Sequence, residues 1–209
     1  METISRRGAM GIAAGVLAGG VLANQAAKNA AAQEKVEEGN EPAVPASDSP
    51  YKFSMSTAHE RRYGQSSIRE HKLQDFPMSS NLSASLITLA VGDVREPHWH
   101  PNSDEWLFVM AGKVRMTIVN GRGEADQFDC GLEDVAFTPI GFGHYVENVG
   151  DEPARLMLVH NHADFTTVNL SEWVAGGATN VFASILHMPS GALATAPTKK
   201  VFIGPMSEK

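Results

Sequence analysis

Cysteine is nearly missing from this chain: Cys130 stands alone among 209 residues, so no intramolecular disulfide can form and no thiolate cluster can hold a metal. Positive charge is also scarce. Seventeen Lys and Arg face 24 Asp and Glu, a formal net charge of −7, and no diffuse basic field is available to grip a phosphate backbone, which excludes nucleic acid as an expected partner. The charge-free apolar stretch at 8–23 is sixteen residues long and glycine-rich. It falls short of the roughly 20 residues that span a bilayer, so no stable membrane anchor is expected. No internal repeat of the strand pattern is found, which argues for one copy of a fold and against a tandem pair. What is present, 43% hydrophobic and 20% charged side chains, suits one ordinary globular domain with length to spare.

The spare length lies at the front. Ser5-Arg6-Arg7 followed by the apolar stretch has the order of an export signal, and the paired arginines resemble a twin-arginine signal. Ala30-Ala31-Ala32 supplies an A-x-A cleavage pattern, placing the expected leader at 1–32 and the mature N-terminus at Gln33. Its removal takes away Glu2, Arg6, Arg7 and Lys28 and leaves 14 positive against 23 negative side chains, a clearly acidic exported domain that is periplasmic or secreted. Residues 33–50 are rich in Glu, Pro, Ala and Ser without apolar period and read as a flexible linker. The folded domain is expected over 51–205, with a tail at 206–209.

From Leu82 onward, short Val, Ile, Leu and Phe runs alternate with Gly, Pro, Asn and Asp, the spacing of a β-sandwich or barrel. Strands are expected at 82–91, 105–110, 113–119, 126–130, 134–138, 144–148 and 154–160. Asn120-Gly121 signals a hairpin, since both residues tolerate the positive φ of a type I′ turn. Helix is confined to one short turn, with Ser171 as N-cap, Glu172 to Ala175 as its body and Gly176-Gly177 as its stop.

Chemistry concentrates in residues 92–112. Residues i and i+2 of a strand share a face, so His98 and His100 project together and can share one ion. The turn-forming Pro101-Asn102-Ser103-Asp104 then brings Glu105 back toward the same interior, with Leu107 and Val109 lining the pocket below. A fourth group comes from a distance, where Pro139, Gly141 and Gly143 fix a bend before His144. Three imidazoles and one carboxylate result.

These residues carry a family resemblance. Gly92, His98, His100, Glu105 and Gly112 match the first cupin motif at every fixed position, and Pro139, Gly141, His144 and Asn148 match most of the second. Where that second motif usually opens with Gly, this chain has Glu133. Asp75-Phe76-Pro77-Met78-Ser79-Ser80, Arg95, Trp106 and Leu170-Ser171-Glu172-Trp173 look like one domain of the bicupin oxalate decarboxylases, and more distantly like germin-type oxalate oxidases. The resemblance implies an all-β cupin double-stranded β-helix, a jelly-roll barrel with a short C-terminal helix.

It also implies a metal centre of His98, His100, Glu105 and His144. Nitrogen and oxygen donors without thiolate suit six-coordinate Mn(II), or Fe(II), with two positions left for a small carboxylate such as oxalate or for dioxygen. Arg95 is the expected catalytic residue beyond the metal, a guanidinium able to hold a carboxylate and stabilise charge developing on it. In oxalate decarboxylases formate is released after a lid glutamate donates a proton. The corresponding stretch 164–169 contains no Glu, leaving Asp164 or Glu172 as substitutes only within hydrogen-bond reach; Glu172 is better explained as a helix-terminus partner.

Three readings therefore compete: a manganese cupin converting oxalate to formate and CO2, an oxalate oxidase or other oxygen-dependent dioxygenase, and a non-catalytic cupin binding a metal or carboxylate. A second His-x-His, His160 and His162, reads as rim or pocket-lining polarity, with His160 a proton shuttle if it faces inward. His59, His71 and His187 are expected to be exposed, Cys130 to be a small buried residue, and Glu124, Asp126 and Asp129 to form a solvated hairpin edge. Exposed edge strands are consistent with a homo-oligomer, because association would cover them.

Overall fold

The computed structural model describes residues 48–177, 179–189 and 191–206. The expected leader at 1–32, all but the last three residues of the expected linker at 33–50, and 207–209 of the tail lie outside the described residues. Among the described residues, twelve strands and two short helices follow one another: β1 (Glu60–Tyr63), β2 (Ser66–His71), β3 (Ser83–Leu89), β4 (Asp93–Trp99), β5 (Glu105–Ala111), β6 (Val114–Val119), β7 (Ala125–Cys130), β8 (Val135–Thr138), β9 (Gly143–Asn148), β10 (Ala154–His160), β11 (Val168–Asn169), α1 (Leu170–Ala175), α2 (Thr179–Ile185) and β12 (Ile203–Pro205). All strand pairs are antiparallel, in one sheet ordered β1-β2-β3-β10-β5-β8 and a second ordered β11-β4-β9-β6-β7, with β12 added beside β4.

Period-2 alternation explains the sandwich. In β3, β9 and β10 every second residue is buried, so each strand turns one face to its opposite sheet. Ile87, Leu89, Leu107, Val109 and Leu156 of the first sheet meet Val114, Met116 and Val146 of the second in one core. Each such side chain contributes about 1.5–3 kcal/mol by leaving water. Cys130 is part of that core, and burial pushes its thiol up, as befits an inert small side chain.

Several local expectations need correction. The β6-β7 hairpin forms, but not through a two-residue type I′ turn: positive φ falls on Gly123 (80°), and the Asn120 side chain accepts backbone N–H groups from Arg122 and Glu124 at 2.9 and 3.1 Å. That pair of bonds stabilises a longer loop. α1 begins at Leu170 with Asn169, not Ser171, as N-cap. α2 is unexpected; it buries no residue, so no apolar stripe announces it. His71, expected exposed, is only 8% accessible and packs against the rings of Phe53 and Phe76, at centroid distances of 5.2 and 5.5 Å. Burial pulls its imidazole below the ordinary range. The acidic β7 face is solvated as expected, with Asp129 paired to Arg115 and Lys113 at 2.7 and 2.9 Å.

Two backbone positions bear on the motifs. Gly112 has φ +77°, and a Cβ there would meet the Ala154 Cα at 2.8 Å, so only glycine permits β5 and β10 to close at this corner. Glu133 occupies the turn where the motif usually carries glycine, and it adopts the left-handed φ of 68° that glycine would supply. The turn is kept and its strain accepted; hydrogen bonds from Glu133 N–H to Val109 O and from Asp134 N–H to Gly131 O hold it. Replacing Glu133 with Gly is expected to stabilise the protein by about 0.5–1 kcal/mol, relief of left-handed strain outweighing the added chain entropy. Thermal unfolding checks this as a Tm increase of about 1–4 °C.

Candidate metal centre

The two sheets bring the four expected groups to one point. β4 and β9 pair His98 directly with His144, His100 follows one residue after β4, and Glu105 opens β5. One donor atom from each of these residues lies within 4.8 Å of every other, and all four are buried. The turn between His100 and Glu105 is held from both sides. Asp104 accepts Ile140 N–H at 2.7 Å, and Asn102 accepts Thr166 N–H at 2.8 Å, so the His144 bend and the chain after β10 lock it together.

Hydrogen bonding fixes which nitrogen each imidazole presents. His98 Nδ1–H donates to Glu96 O at 2.7 Å, His100 Nδ1–H to Thr166 O at 2.8 Å, and His144 Nδ1–H to Phe142 O at 3.1 Å. A carbonyl can only accept, so the proton must sit on Nδ1, and each ring offers Nε2 as a lone-pair donor. Glu105 Oε2 lies 3.1 Å from His100 Nε2 and 3.5 Å from His144 Nε2. Glu105 Oε1 and His144 Nε2 are buried without a hydrogen-bond partner, an arrangement that costs free energy until a cation satisfies it.

Protonation agrees with that role. Burial holds the His98 and His100 imidazoles below their ordinary range, with Arg95 adding to the effect at His98. Burial would raise Glu105, but the imidazoles of His144, His100 and His160 outweigh it and hold the carboxyl well below the usual range. Neutral imidazoles at His98 and His100 beside an ionised Glu105 carboxylate suit a divalent ion. The donor set fits Mn(II) or Fe(II), and the fixed Nδ1 protons orient it.

Arg95 faces the same cavity. An odd spacing from His98 would ordinarily put it on the opposite face, but the register of β4 against β9 shifts between Arg95 and His98, with Pro97 in the bulge. Arg95 is 4% exposed, and its guanidinium lies over the Phe202 ring at 3.8 Å and donates to Phe202 O at 3.1 Å. Burial lowers it to about 10, opposed by Glu96 and Glu105, so it stays charged at neutral pH. The neighbouring Glu96 turns the other way. Its carboxylate accepts Ser171 N–H, the Ser171 hydroxyl and Phe202 N–H at 2.9, 2.9 and 2.7 Å, tying α1 and the 200–205 segment to β4.

The cavity measures about 280 Å³ and has Ile68, Ile87, Leu158 and Phe165 among its lining residues. Four cations, Arg61, Lys72, Arg95 and Lys200, also line it, against two carboxylates, Glu70 and Glu105. A net-acidic protein thus reserves a positive pocket for a small anion.

The cupin family profile matches residues 56–186. The chain belongs to the cupin family. This cupin is 39% identical over 101 residues to oxalate decarboxylase OxdC of Bacillus subtilis (strain 168), covering 48% of this chain and 26% of that protein. It is 30% identical over 178 residues to a probable oxalate decarboxylase of Arthroderma benhamiae, covering 84% and 44%. A germin-like protein 5-1 of Oryza sativa subsp. japonica is 29% identical over 115 residues, covering 55% and 49%. Among solved structures, a mutant form of Bacillus subtilis OxdC superposes with a TM-score of 0.71 at 26% identity, over 84% of this chain and 46% of that one. Another structure of that enzyme, with the same score, identity and coverage, concerns its Mn(II) centres. This cupin therefore spans less than half the length of these oxalate decarboxylases.

Other expected roles in this cupin change. Leu107 and Val109 do not line the cavity; they belong to the core. Among the described residues, neither Asp164 nor Glu172 reaches the cavity. The Asp164 side chain is 67% exposed, and the Glu172 carboxylate accepts the backbone N–H and the amide of Asn169 at 3.3 and 2.6 Å, closing the start of α1. The second His-x-His is split: His162 is exposed, whereas His160 is 1% accessible and lines the cavity. The cations Arg61, Lys72 and Lys200 escape sequence reading, because strands distant in the chain assemble them.

Proposed function

We propose that this protein is a manganese-dependent cupin enzyme of small carboxylates, with His98, His100, Glu105 and His144 holding the metal and oxalate, decarboxylated to formate and CO2, as the leading substrate. The observation that carries this reading is the meeting of four buried donors, three with Nδ1 protons already committed, beneath a cation-lined cavity. Homology to oxalate decarboxylases supports the substrate, and the Mn(II) centres of the Bacillus subtilis enzyme support the metal over Fe(II). When bound, the ion supplies Lewis acidity and a one-electron couple to a coordinated carboxylate.

The protein's own contribution is electrostatic and positional. Arg95 would hold the carboxylate and stabilise charge growing on it, worth more in this buried setting than in water. Lys72 and Lys200 draw the anion in, while Leu158, Ile87 and Phe165 exclude water around it. Export by the twin-arginine route, read from Arg6-Arg7 and the apolar stretch behind them, would place this chemistry outside the cytoplasm.

A second reading, an oxalate oxidase consuming dioxygen, is favoured by the lack of any carboxylate from 164–169 in the cavity wall. Metal-quantified protein incubated with oxalate in air, with formate and peroxide measured together, decides the matter. Formate equal to the oxalate consumed supports decarboxylation; peroxide with CO2 and no formate supports oxidation. Oxalate-dependent thermal stabilisation without either product leaves a binding protein.

A further inference from the structure

His160 differs from the three imidazoles assigned to the metal in one respect that decides its role. It pairs directly with Glu105 across β10 and β5, so the two side chains leave the sheet side by side, and its Nε2 lies 3.3 Å from Glu105 Oε2. The Phe165 ring stacks on it at 3.7 Å with an interplanar angle of 3°, which fixes the plane of the imidazole. Yet both of its nitrogens are buried without a hydrogen-bond partner. The other three rings each anchor Nδ1–H on a backbone carbonyl, as metal-bound histidines do. No carbonyl serves His160. It also falls outside the set of donors lying within 4.8 Å of one another.

An imidazole carries at least one N–H whatever its protonation, and a buried N–H with no acceptor is costly. The nearest protein acceptor, Glu105 Oε2 at 3.3 Å, does not meet the ring in good hydrogen-bonding geometry and is an oxygen that the metal would engage, and His160 lines the same cavity as Arg95, His98, His100 and Glu105. We propose that His160 is a ligand-binding residue, and not a fifth metal ligand: its N–H donates to an oxygen of the small carboxylate held at the metal. Arg95 contributes the charge and His160 a directional hydrogen bond, so the anion is recognised from two walls of the cavity. This assignment rests on the metal-and-carboxylate reading above.

The test uses Mn(II)-loaded protein without dioxygen, so that binding is read apart from turnover. Wild type, His160→Phe and His160→Gln are compared for Mn(II) content after gel filtration and for oxalate affinity by calorimetry. Phenylalanine keeps a flat ring against Phe165 and removes the N–H; glutamine restores a donor. The expected result is equal Mn(II) in all three, an oxalate Kd weakened roughly 10–100-fold in the Phe variant, and recovery to within about fivefold of wild type in the Gln variant. Unchanged oxalate affinity in His160→Phe overturns the assignment, and so does loss of Mn(II), which would make His160 a metal ligand. A wild-type protein that takes up no Mn(II), or takes it up without binding oxalate, overturns the underlying reading instead and the assignment with it.

Discussion

A His144→Ala protein is expected to emerge from gel filtration stripped of Mn(II), its metal affinity lowered by roughly 100-fold or more. Loss of groups that merely orient a ligand already costs about 10–100-fold, and here the donor itself is removed. His144 is the one assigned donor from the later motif, and its partners show what its loss would undo. Nδ1–H is committed to Phe142 O, and Nε2 stands 3.5 Å from Glu105 Oε2 and belongs to the buried atoms without a hydrogen bond. Loss of fold must be separated from loss of ligand, because the side chain is 1% exposed. Thermal unfolding with and without added Mn(II) does so: the wild-type Tm rises with metal while the variant's does not, although both unfold cooperatively. A variant that retains full metal occupancy would remove His144 from the centre.

Replacing Arg95 with Ala is expected to lower kcat/KM for oxalate by about 100–1,000-fold while Mn(II) content stays at the wild-type level. The two readouts separate a residue that meets the substrate from one that builds the site. Arg95 also supports the cavity wall, through its contact with the Phe202 ring and its bond to Phe202 O, so truncation carries a structural cost as well. Arg95→Lys addresses this. It keeps a positive charge but loses the planar fork, and is expected to recover about tenfold of the lost activity. Equal kcat/KM in all three proteins would confine Arg95 to a structural role.

The four assigned metal donors are legible in the sequence because their geometry is local or marked by turns. His98 and His100 share a face by strand period, and proline and glycine punctuation announces the bends that deliver Glu105 and His144. Arg95 is reached by resemblance alone; strand parity argues against it, and only the bulge at Pro97 turns it inward. The inward place of His160 is hidden because its neighbour Glu105 lies 55 positions away, and strand register is a long-range property that no local pattern carries. Burial of His71 is hidden for a related reason. β2 offers one large aliphatic residue, Ile68, and the rings that bury His71 come from the segment before β1 and the loop after β2. β12 carries only three residues, Ile203-Gly204-Pro205, and owes its pairing to β4 and to the hold of Glu96 on Phe202.

Glu105 belongs to the sheet of β5 and β10, whereas His98 and His144 stand opposite each other in the sheet of β4 and β9. An ion drawing on all of them would be a rivet through the sandwich, and the free energy of its binding would add to the adhesion between two layers otherwise joined by oily contact, chain connections and a few hydrogen bonds such as that from the Asn148 amide to Leu89 O. A chelator reaching the cavity would then loosen the jelly roll as a whole, acting on the protein as a denaturant would and not as a simple inhibitor.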